Sequence, residues 1–352
     1  DRLLDFYIGS FCARKPAQLE PLVLDILRLG AYQMLFLTRI PASAAVNESV
    51  ALAKRRGAGR AAGLVNAVLR KIAENRDSLP EIPRGDEITY LSTKYSYPDW
   101  ITRRAVSILG AAEAEAFLAG GNEPAPTVIQ TNALKTSPQS LRAELEGAGA
   151  EVAPHPWLEG CFTLSKSGSI ERLEAFGGGR FIVQDAAAFL AAAAAGAEPG
   201  MTVADVCAAP GGKSFACAIR MKNTGKIFAF DIHQNKLRLI NDGAERLGIT
   251  IISAAAADAR TRTDGLCGLA DVVLADVPCS GLGIIRKKPD IRRKREEDIA
   301  GLPAIQSAIL ENVSAYVKPG GILLYSTCTV LPEENEDVTD GFLRRHPEFS
   351  PD

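Results

Sequence analysis

From Gln184 onward, short apolar runs of strand length alternate with stretches of helical pattern. Strands that are buried on both faces of a sheet are apolar throughout, and the helices between them connect neighbouring parallel strands. The alternation therefore predicts an α/β domain with a parallel sheet over residues 184–352. The expected strands are Thr202–Val206, Ile227–Phe230, Thr250–Ser253, Asp271–Ala275 and Ile322–Tyr325.

The first half of the chain has other patterns. Residues 1–80 carry apolar side chains at three- and four-residue spacing, which predicts an all-α domain. Residues 81–126 read as a helical linker, with a single helix expected over Asp99–Gly120. Residues 127–183 predict a small α+β unit. Its expected elements are strands at Thr127–Thr131, Cys161–Leu164 and Arg180–Val183, and a helix near Ser140–Gly147.

Composition narrows the class of protein. With 47% hydrophobic and 23% charged residues, the chain is not expected to be disordered. Its apolar runs are shorter than the roughly 18 residues that a membrane span needs, and it opens without a signal-peptide pattern. We therefore expect a cytoplasmic protein with free thiols and no membrane partner. The net charge of -2 leaves any contact with phosphates to local basic clusters.

The cysteines and histidines do not form a metal-binding pattern. The seven cysteines contain no C-x-x-C pair, and His155 and His233 stand apart from other metal-ligating side chains. We therefore expect no metal.

A turn rich in small residues, Cys207-Ala-Ala-Pro-Gly-Gly-Lys213, follows the first strand of the α/β domain and opens a helix. Small residues let the backbone approach a ligand, and the amino end of a helix favours a negative group. The dinucleotide motif G-x-G-x-x-G is absent. A P-loop NTPase is a weaker alternative, because Cys207 stands where that motif needs glycine and Pro210 removes a backbone N–H.

Three acids favour S-adenosylmethionine as the ligand of this turn. Asp231 ends the second expected strand, Asp258 follows the third and Asp276 ends the fourth. Carboxylates at this edge of a sheet can accept hydrogen bonds from ribose hydroxyls. A single Asp at such a position is often only a helix cap, but the explanation weakens for three acids together with the turn.

Two cysteines also follow strands of the predicted sheet. Cys279 lies in Asp276-Val-Pro-Cys and Cys328 in Ser326-Thr-Cys-Thr. A thiolate can add to C6 of a pyrimidine and so make C5 nucleophilic toward a methyl sulfonium. The motif after Asp276 lacks the Pro-Pro-aromatic run common in exocyclic-amine methyltransferases, which favours carbon as the methyl acceptor. Glu311-Asn-Val is discounted as a catalytic motif because its helical pattern turns Glu311 away from the apolar stripe.

Two basic clusters could hold RNA. One follows Cys279 and one lies in the helical domain, and a charge cluster on its own is more often a solvated surface. Their cations are Arg286, Lys287, Lys288, Arg292, Arg293, Lys294 and Arg295, and Lys54, Arg55, Arg56 and Arg60. Neither Trp100 nor Trp157 lies within a basic run, so neither is predicted to stack on a base.

On these residues the chain resembles the RsmB (Sun/Fmu) family of bacterial RNA cytosine-C5 methyltransferases. The segments that carry the resemblance are Asp205–Ser214, Asp276–Gly281 and Tyr325–Asn335 in the α/β domain, and Thr38–Pro41 and Gly63–Arg70 near the amino terminus. The resemblance implies three folds: a NusB-like all-α domain, an RRM-like α+β unit and a Rossmann-like methyltransferase domain. It also implies that the NusB-like domain lacks its first helix or two and that the sheet lacks its final strands.

The resemblance further implies a function and roles for the site residues. The substrate would be a cytosine of 16S ribosomal RNA, with Cys328 attacking C6, Cys279 assisting product release and Asp276 facing cytosine and cofactor. No obligate protein partner is implied. The residues expected to hold S-adenosylmethionine are Cys207, Ala208, Ala209, Pro210, Gly211, Gly212, Lys213, Asp231, Asp258 and Asp276. A catalytically inactive, NusB-like RNA-binding scaffold is a further alternative.

Overall fold

The computed structural model describes residues 1–351, and for residue 264 the backbone only. The chain forms two compact units, Asp1–Glu123 and a second that begins at Pro124 and runs to the end of the described residues. Within residues 1–351, no helix is both long enough and apolar enough to cross a membrane.

The first unit is all-α, as expected. Its helices bury one another's apolar stripes, and Ile8, Leu27 and Met34 are almost fully excluded from solvent. The helices are α1 (Arg2–Phe11), α2 (Pro21–Phe36), α3 (Ala42–Arg55), α4 (Ala62–Glu74), α5 (Glu87–Tyr95), α6 (Asp99–Leu109) and α7 (Ala111–Gly120).

The prediction of one helix over Asp99–Gly120 is wrong. Gly110 separates α6 from α7 and has a φ of 77°. A glycine adopts this backbone conformation without the steric cost that a side chain imposes, so the chain can turn there. The apolar pattern continues through the break, which is why it reads as one helix.

The second unit opens with an α+β fold. The antiparallel sheet has the order β2-β3-β1-β4, and one of its faces packs Ile129 and Phe162 against Leu141 and Leu145. Its elements are β1 (Thr127–Thr131), α8 (Pro138–Gly147), β2 (Glu151–Pro154), β3 (Cys161–Ser165), α9 (Glu174–Gly177) and β4 (Phe181–Val183).

The sequence analysis missed β2. This strand has four residues, lies at the edge of the sheet and buries only Val152. Such a short edge strand has too little apolar alternation to stand out.

The rest of the second unit is the expected α/β fold with an all-parallel sheet in the order β7-β6-β5-β8-β9. Its elements are α10 (Ala186–Ala194), β5 (Thr202–Asp205), α11 (Gly212–Arg220), β6 (Lys226–Asp231), α12 (Leu237–Leu247), β7 (Ile252–Ala256), β8 (Ala270–Asp276), α13 (Leu302–Ser314), β9 (Val317–Ser326) and α14 (Glu336–Arg345). Of the five expected strands, β7 begins two residues later than predicted and β9 five residues earlier.

The order of the strands sets the position of the site. β5 lies at the centre and pairs in parallel with β6 on one side and β8 on the other. The chain order reverses between β5 and β8, and ligands of such sheets bind at the carboxyl edge beside this reversal. Val203, Val273 and Leu274 are fully buried, which keeps that edge rigid.

The α+β fold is attached to the carboxyl end of α12. The last carbonyls of a helix have no partner within the helix and need donors from elsewhere. Asn132 Nδ2 donates to the carbonyl of Leu247 (2.9 Å) and to that of Gly179 (2.8 Å), and Lys135 Nζ donates to the carbonyl of Arg246 (2.7 Å). Asn132 is fully buried, so these bonds are shielded from water.

Replacing Asn132 by Ala should destabilise the second unit. It leaves two buried carbonyls without a donor, and we expect the free energy of unfolding to fall by roughly 2–4 kcal/mol in urea denaturation. Asn241→Ala, at an exposed position on α12, is the matched control and should be neutral or slightly stabilising. Equal stabilities of the two variants would show that the attachment contributes little.

Candidate active site

The turn between β5 and α11 has a tightly constrained backbone. Gly211 has a φ of 112°, and a Cβ at this position would lie 2.4 Å from the ring of Phe215. Only glycine fits there without strain, because both the dihedral angle and the close ring exclude a side chain. Beneath the turn, Ser214 Oγ donates to Asp205 Oδ2 at 2.7 Å. The helix α11 therefore begins at a fixed place against the end of β5.

Two of the three predicted acids are bonded to this turn. Asp231 Oδ2 accepts from the backbone N–H of Ala209 (3.2 Å) and Oδ1 from that of His233 (2.9 Å). Asp276 forms an ion pair with Lys213 (2.7 Å), and its other oxygen accepts from Ser326 Oγ (2.8 Å).

Asp258 lies at the same edge but has a different environment. Its carboxylate is held by the guanidinium of Arg260, with Nη2 at 2.6 Å, and it is partly exposed. The neighbouring residue Ala257 donates its N–H to the carbonyl of Asp231 (3.2 Å). The three acids are therefore brought to one edge, as expected.

The pKa of Cys207 is raised by burial and by the acids around it. Burial and the negative charges of Asp205, Asp276, Asp231 and Asp258 raise it to about 12. Cys207 is thus a neutral thiol at the centre of four carboxyl groups, not a nucleophile.

Asp205 was not among the predicted site residues. It is fully buried, and this burial raises its pKa to about 6 against the opposing hydrogen bond from Ser214.

The residues at this edge fit S-adenosylmethionine. Carboxylates suit its ribose hydroxyls and ammonium group, and Lys213 suits its carboxylate. The side-chain oxygen of Gln184 is buried without a hydrogen-bond partner among the described residues, and a Cβ at Gly212 would lie 3.3 Å from Gln184 Nε2. Buried polar atoms are nearly always paired, so Gln184 Oε1 marks a place where a ligand can donate. The sequence pattern carried no signal for Gln184.

The two predicted cysteines lie in contact beside these acids. The Sγ atoms of Cys279 and Cys328 are 3.0 Å apart, and the backbone N–H of Cys328 donates to Cys279 Sγ at 3.2 Å. These donors, with the N–H of Gly281, lower the pKa of Cys279 to about 7. The pKa of Cys328 is raised because its proton is held by the neighbouring sulfur. The pair therefore shares one proton, and the contact favours the thiolate form of Cys279 over that of Cys328.

A buried polar network holds the loop that carries Cys279. Glu334 Oε2 accepts from the N–H of Ser280 (2.9 Å) and from Gln306 Nε2 (2.8 Å). Ser280 Oγ bonds Thr329 Oγ1 at 2.6 Å, which ties this loop to the segment after β9. Glu334 and Gln306 are almost fully buried. The sequence analysis assigned neither a role, although Glu334 lies within the quoted Tyr325–Asn335 segment.

The basic cluster after Cys279 is partly used inside the protein. Lys294 Nζ donates to the carbonyl of Ser280 (2.7 Å), and Lys287 forms an ion pair with Asp185 (2.6 Å). The remaining cations of this cluster are Arg286, Lys288, Arg292, Arg293 and Arg295, and they lie at or near the surface. Lys294 is thus a support of the Cys279 loop as well as a surface charge.

The cluster in the helical unit is exposed throughout. It comprises Lys54, Arg55, Arg56 and Arg60 at and beyond the end of α3, and Arg55 forms an ion pair with Glu48 at 3.6 Å.

Glu311 takes no part in the site. Its carboxylate bonds His346 Nε2 (2.7 Å) and Arg345 (3.2 Å) between α13 and α14. Glu311 thus links the ends of these two helices.

Known proteins with similar sequences identify the family. The chain is 38% identical to "Probable ribosomal RNA small subunit methyltransferase B" of Bacillus subtilis, over 99% of this chain and 78% of that protein. The chain belongs to the RsmB/F methyltransferase family. Residues 193–351 match the family described as 16S rRNA methyltransferase RsmB/F, and residues 1–74 match the NusB family. Residues 97–171 match the ferredoxin-like domain of the RsmF/B-like methyltransferases.

Other members and a solved structure agree with this assignment. A protein of the same name from Synechocystis is 37% identical over 99% of this chain and 78% of its own. The crystal structure of PH0851 superposes with a TM-score of 0.83 at 33% identity, over 99% of this chain and 78% of that one.

The membership confirms the NusB-like, ferredoxin-like and Rossmann-like folds, and S-adenosylmethionine as the cofactor. It removes the support for the NTPase alternative. In residues 1–351, no cluster of side chains could hold a metal ion.

The shared proton predicts an unusually reactive Cys279. We expect alkylation of Cys279 by iodoacetamide to rise with a midpoint near pH 7. In Cys328→Ala the thiol donor is lost, and the midpoint should move up toward the roughly 8.5 of a free thiol. Mass spectrometry of the Cys279 peptide after short pulses of reagent measures both midpoints. Cys267→Ala, at the amino-terminal edge of the sheet, is the control and should leave the midpoint near 7.

Proposed function

We propose that this enzyme methylates C5 of a specific cytosine in 16S ribosomal RNA, using S-adenosylmethionine as methyl donor. Cys328 forms a covalent bond to C6 of the cytosine, and Cys279 assists release of the product. One observation carries the proposal: two thiols lie 3.0 Å apart beside Asp276 and the cofactor turn. The printed names of the relatives, which refer to small-subunit ribosomal RNA, support the substrate.

The first step needs a proton transfer between the two sulfurs. Cys279 holds the negative charge in the resting pair, so it accepts the proton of Cys328 across their contact. Cys328 Sγ then bonds C6, and the electron pair of the C5–C6 double bond becomes available at C5. C5 would then form its new bond to the electrophilic methyl group that bound S-adenosylmethionine supplies, which comes without its bonding electrons.

Release of the product breaks the bond between Cys328 Sγ and C6. Cys279, having lost its proton to solvent, removes the proton from C5, and the electrons of the C5–H bond restore the C5–C6 double bond. The C6–S bond breaks and Cys328 leaves as thiolate. One proton is released per methyl group transferred, so the atoms balance.

The cofactor supplies an electrophilic methyl group, and the acids and the turn hold it at the carboxyl edge. Asp231 and Asp258 would take the nucleoside part, and Lys213 with the Cys207–Gly212 turn would take the amino-acid part. Asp276 would face both the cofactor and the cytosine. Its ion pair with Lys213 holds its carboxylate in place.

The RNA would reach the site as a single strand or a flipped base, because C5 and C6 are covered in a stacked helix. The cations after Cys279 would hold phosphates near the target. Lys54, Arg55, Arg56 and Arg60 of the NusB-like domain would bind RNA further along. In this proposal the enzyme acts in the cytoplasm without an obligate protein partner. The domains would span residues 1–80, 81–126, 127–183 and 184–352.

A second assignment exchanges the roles of the two thiols. The lower pKa of Cys279 makes it the better nucleophile before RNA binds. The Pro278-Cys279 pair also resembles the nucleophile motif of DNA cytosine methyltransferases. An inactive scaffold is the remaining alternative, and methylation of cytosine by the purified protein would exclude it.

Two single variants separate these assignments. Cys328→Ala should abolish methyl transfer to 16S ribosomal RNA fragments, because no bond to C6 can form. Cys279→Ala should form the bond but fail to release it, so that a protein–RNA adduct survives denaturing electrophoresis. Cys217→Ala is the matched control and should retain activity, since this thiol is buried in the core. An adduct that forms without Cys328 but requires Cys279 would show that the roles are reversed.

The cluster after Cys279 should contribute to the salt dependence of RNA binding. Arg293 is 83% exposed, and its replacement by Ala should reduce the slope of log affinity against log salt by about 0.7 if it neutralises one phosphate. Arg238→Ala is the control, since Arg238 lies on α12 with 85% exposure. Fluorescence anisotropy at several salt concentrations measures both slopes. Identical slopes would place the RNA away from Arg293.

A further inference from the structure

A cavity of about 300 Å³ lies between the ferredoxin-like sheet and the segment that follows Cys279. Val128 and Thr163 line it from the sheet, and His155 lines it from the loop after β2. The other side is lined by Asp185, Ala186, Gly283, Ile284, Arg286 and Lys287. This volume is at the lower end of the range for small-molecule sites, and it suits a single nucleotide.

The cavity is on the sheet face that does not pack against α8. Val128 pairs with Thr163, whereas the adjacent pair, Ile129 with Phe162, points into the core on the other side. Neighbouring residues of a strand face opposite sides of a sheet. The Val128–Thr163 face therefore turns toward the catalytic domain.

One wall of the cavity is bonded to the catalytic cysteine. The N–H of Gly283 donates to the carbonyl of Cys328 at 3.0 Å. A Cβ at Gly283 would lie 3.1 Å from the same carbonyl oxygen, so the wall can approach Cys328 because residue 283 is a glycine. An RNA strand that places its target base at Cys328 would therefore have an adjoining nucleotide within reach of the cavity.

His155 lines the cavity and contacts the ring of the neighbouring Trp157. The rings of His155 and Trp157 meet edge to face with centroids 4.6 Å apart, and Trp157 is 61% exposed. His155 Nδ1 is buried and has no hydrogen-bond partner in the part of the chain that the structure describes. An exposed indole offers a face for stacking, and the imidazole nitrogen offers a hydrogen bond.

The opposite wall is basic and held in position. Lys287 is fixed by its ion pair with Asp185, and Arg286 Nη2 donates to the carbonyl of Pro124 at 2.7 Å. Lys288 follows at the surface. An exposed indole in contact with His155, together with the two fixed cations, suits an unpaired nucleotide better than a peptide, because the set offers both stacking and a phosphate contact.

We propose that this cavity is a subsite for one unpaired nucleotide adjoining the target cytosine. Its base stacks on Trp157 and bonds His155, and its phosphate lies beside Arg286 and Lys287. The subsite rests on the proposed function for its RNA ligand. It makes the ferredoxin-like domain part of the substrate site, where the sequence alone indicated no contact for Trp157.

Trp157→Ala tests the subsite in the full chain. The KM for a 16S ribosomal RNA fragment should rise between about 5-fold and 150-fold, the range expected for loss of one base–aromatic stack. The effect on KM should exceed that on kcat, because Trp157 does not touch the reacting atoms, and Trp157→Phe should largely restore KM. Leu269→Ala is the matched control, since this side chain is 56% exposed just before β8, at the amino-terminal edge of the parallel sheet.

Abasic substitution identifies the nucleotide that binds. Each position flanking the target cytosine is made abasic in turn, and KM is measured with the native protein and with Trp157→Ala. At one position the abasic penalty should disappear in the variant, because the same stack is already lost. Penalties that remain additive at every position would overturn the subsite, even where the native protein methylates normally.

Tryptophan fluorescence keeps the subsite separate from the methylation chemistry. The chain has two tryptophans, so Trp157 is the only indole in Trp100→Phe. Its emission should be quenched when a single-stranded RNA fragment is added without cofactor. Quenching without any methylation of cytosine would refute the proposed function and leave the subsite standing. Methylation with unchanged Trp157 emission would refute the subsite alone.

Discussion

The parallel pairing of β8 with β5 on one side and with β9 on the other is the constraint on which the site depends. It places the ends of all three strands at one edge, with Asp276 opposite Ser326 in the register. The turn after β5 and the segments that carry Cys279 and Cys328 must then meet. Two sulfurs that are 49 residues apart in the chain are thereby brought to 3.0 Å.

The contact between the sulfurs changes the chemistry of both. A thiol alone is mostly protonated at neutral pH, but here one thiol stabilises its neighbour as a thiolate. The arrangement needs the Cys279 loop to be held rigidly, and the buried carboxylate of Glu334 does this through the N–H of Ser280. A buried carboxylate is costly unless its hydrogen bonds are made, so the loop and Glu334 stabilise each other.

Most of the fold could be predicted because it follows from regular patterns. Apolar runs of strand length indicated the parallel sheet, and three- and four-residue spacing indicated the helical unit. The failures have local causes: Gly110 ends a helix without interrupting its apolar pattern, and β2 is a short edge strand. The attachment of α12 to Asn132 could not be predicted, since it joins residues 115 positions apart through a single side chain.

For the site, the sequence by itself determined the chemical groups and the edge at which they meet. The glycine turn, the acids and both cysteines follow strands, and parallel strands end together. The folded chain was needed to show that Cys279 is the more acidic of the two thiols and that Gln184 borders the turn. It was also needed to show that the exposed Trp157 contacts His155, which lines a cavity with two cations. Those relations depend on distances of a few ångströms between segments far apart in the chain, and no periodic pattern records them.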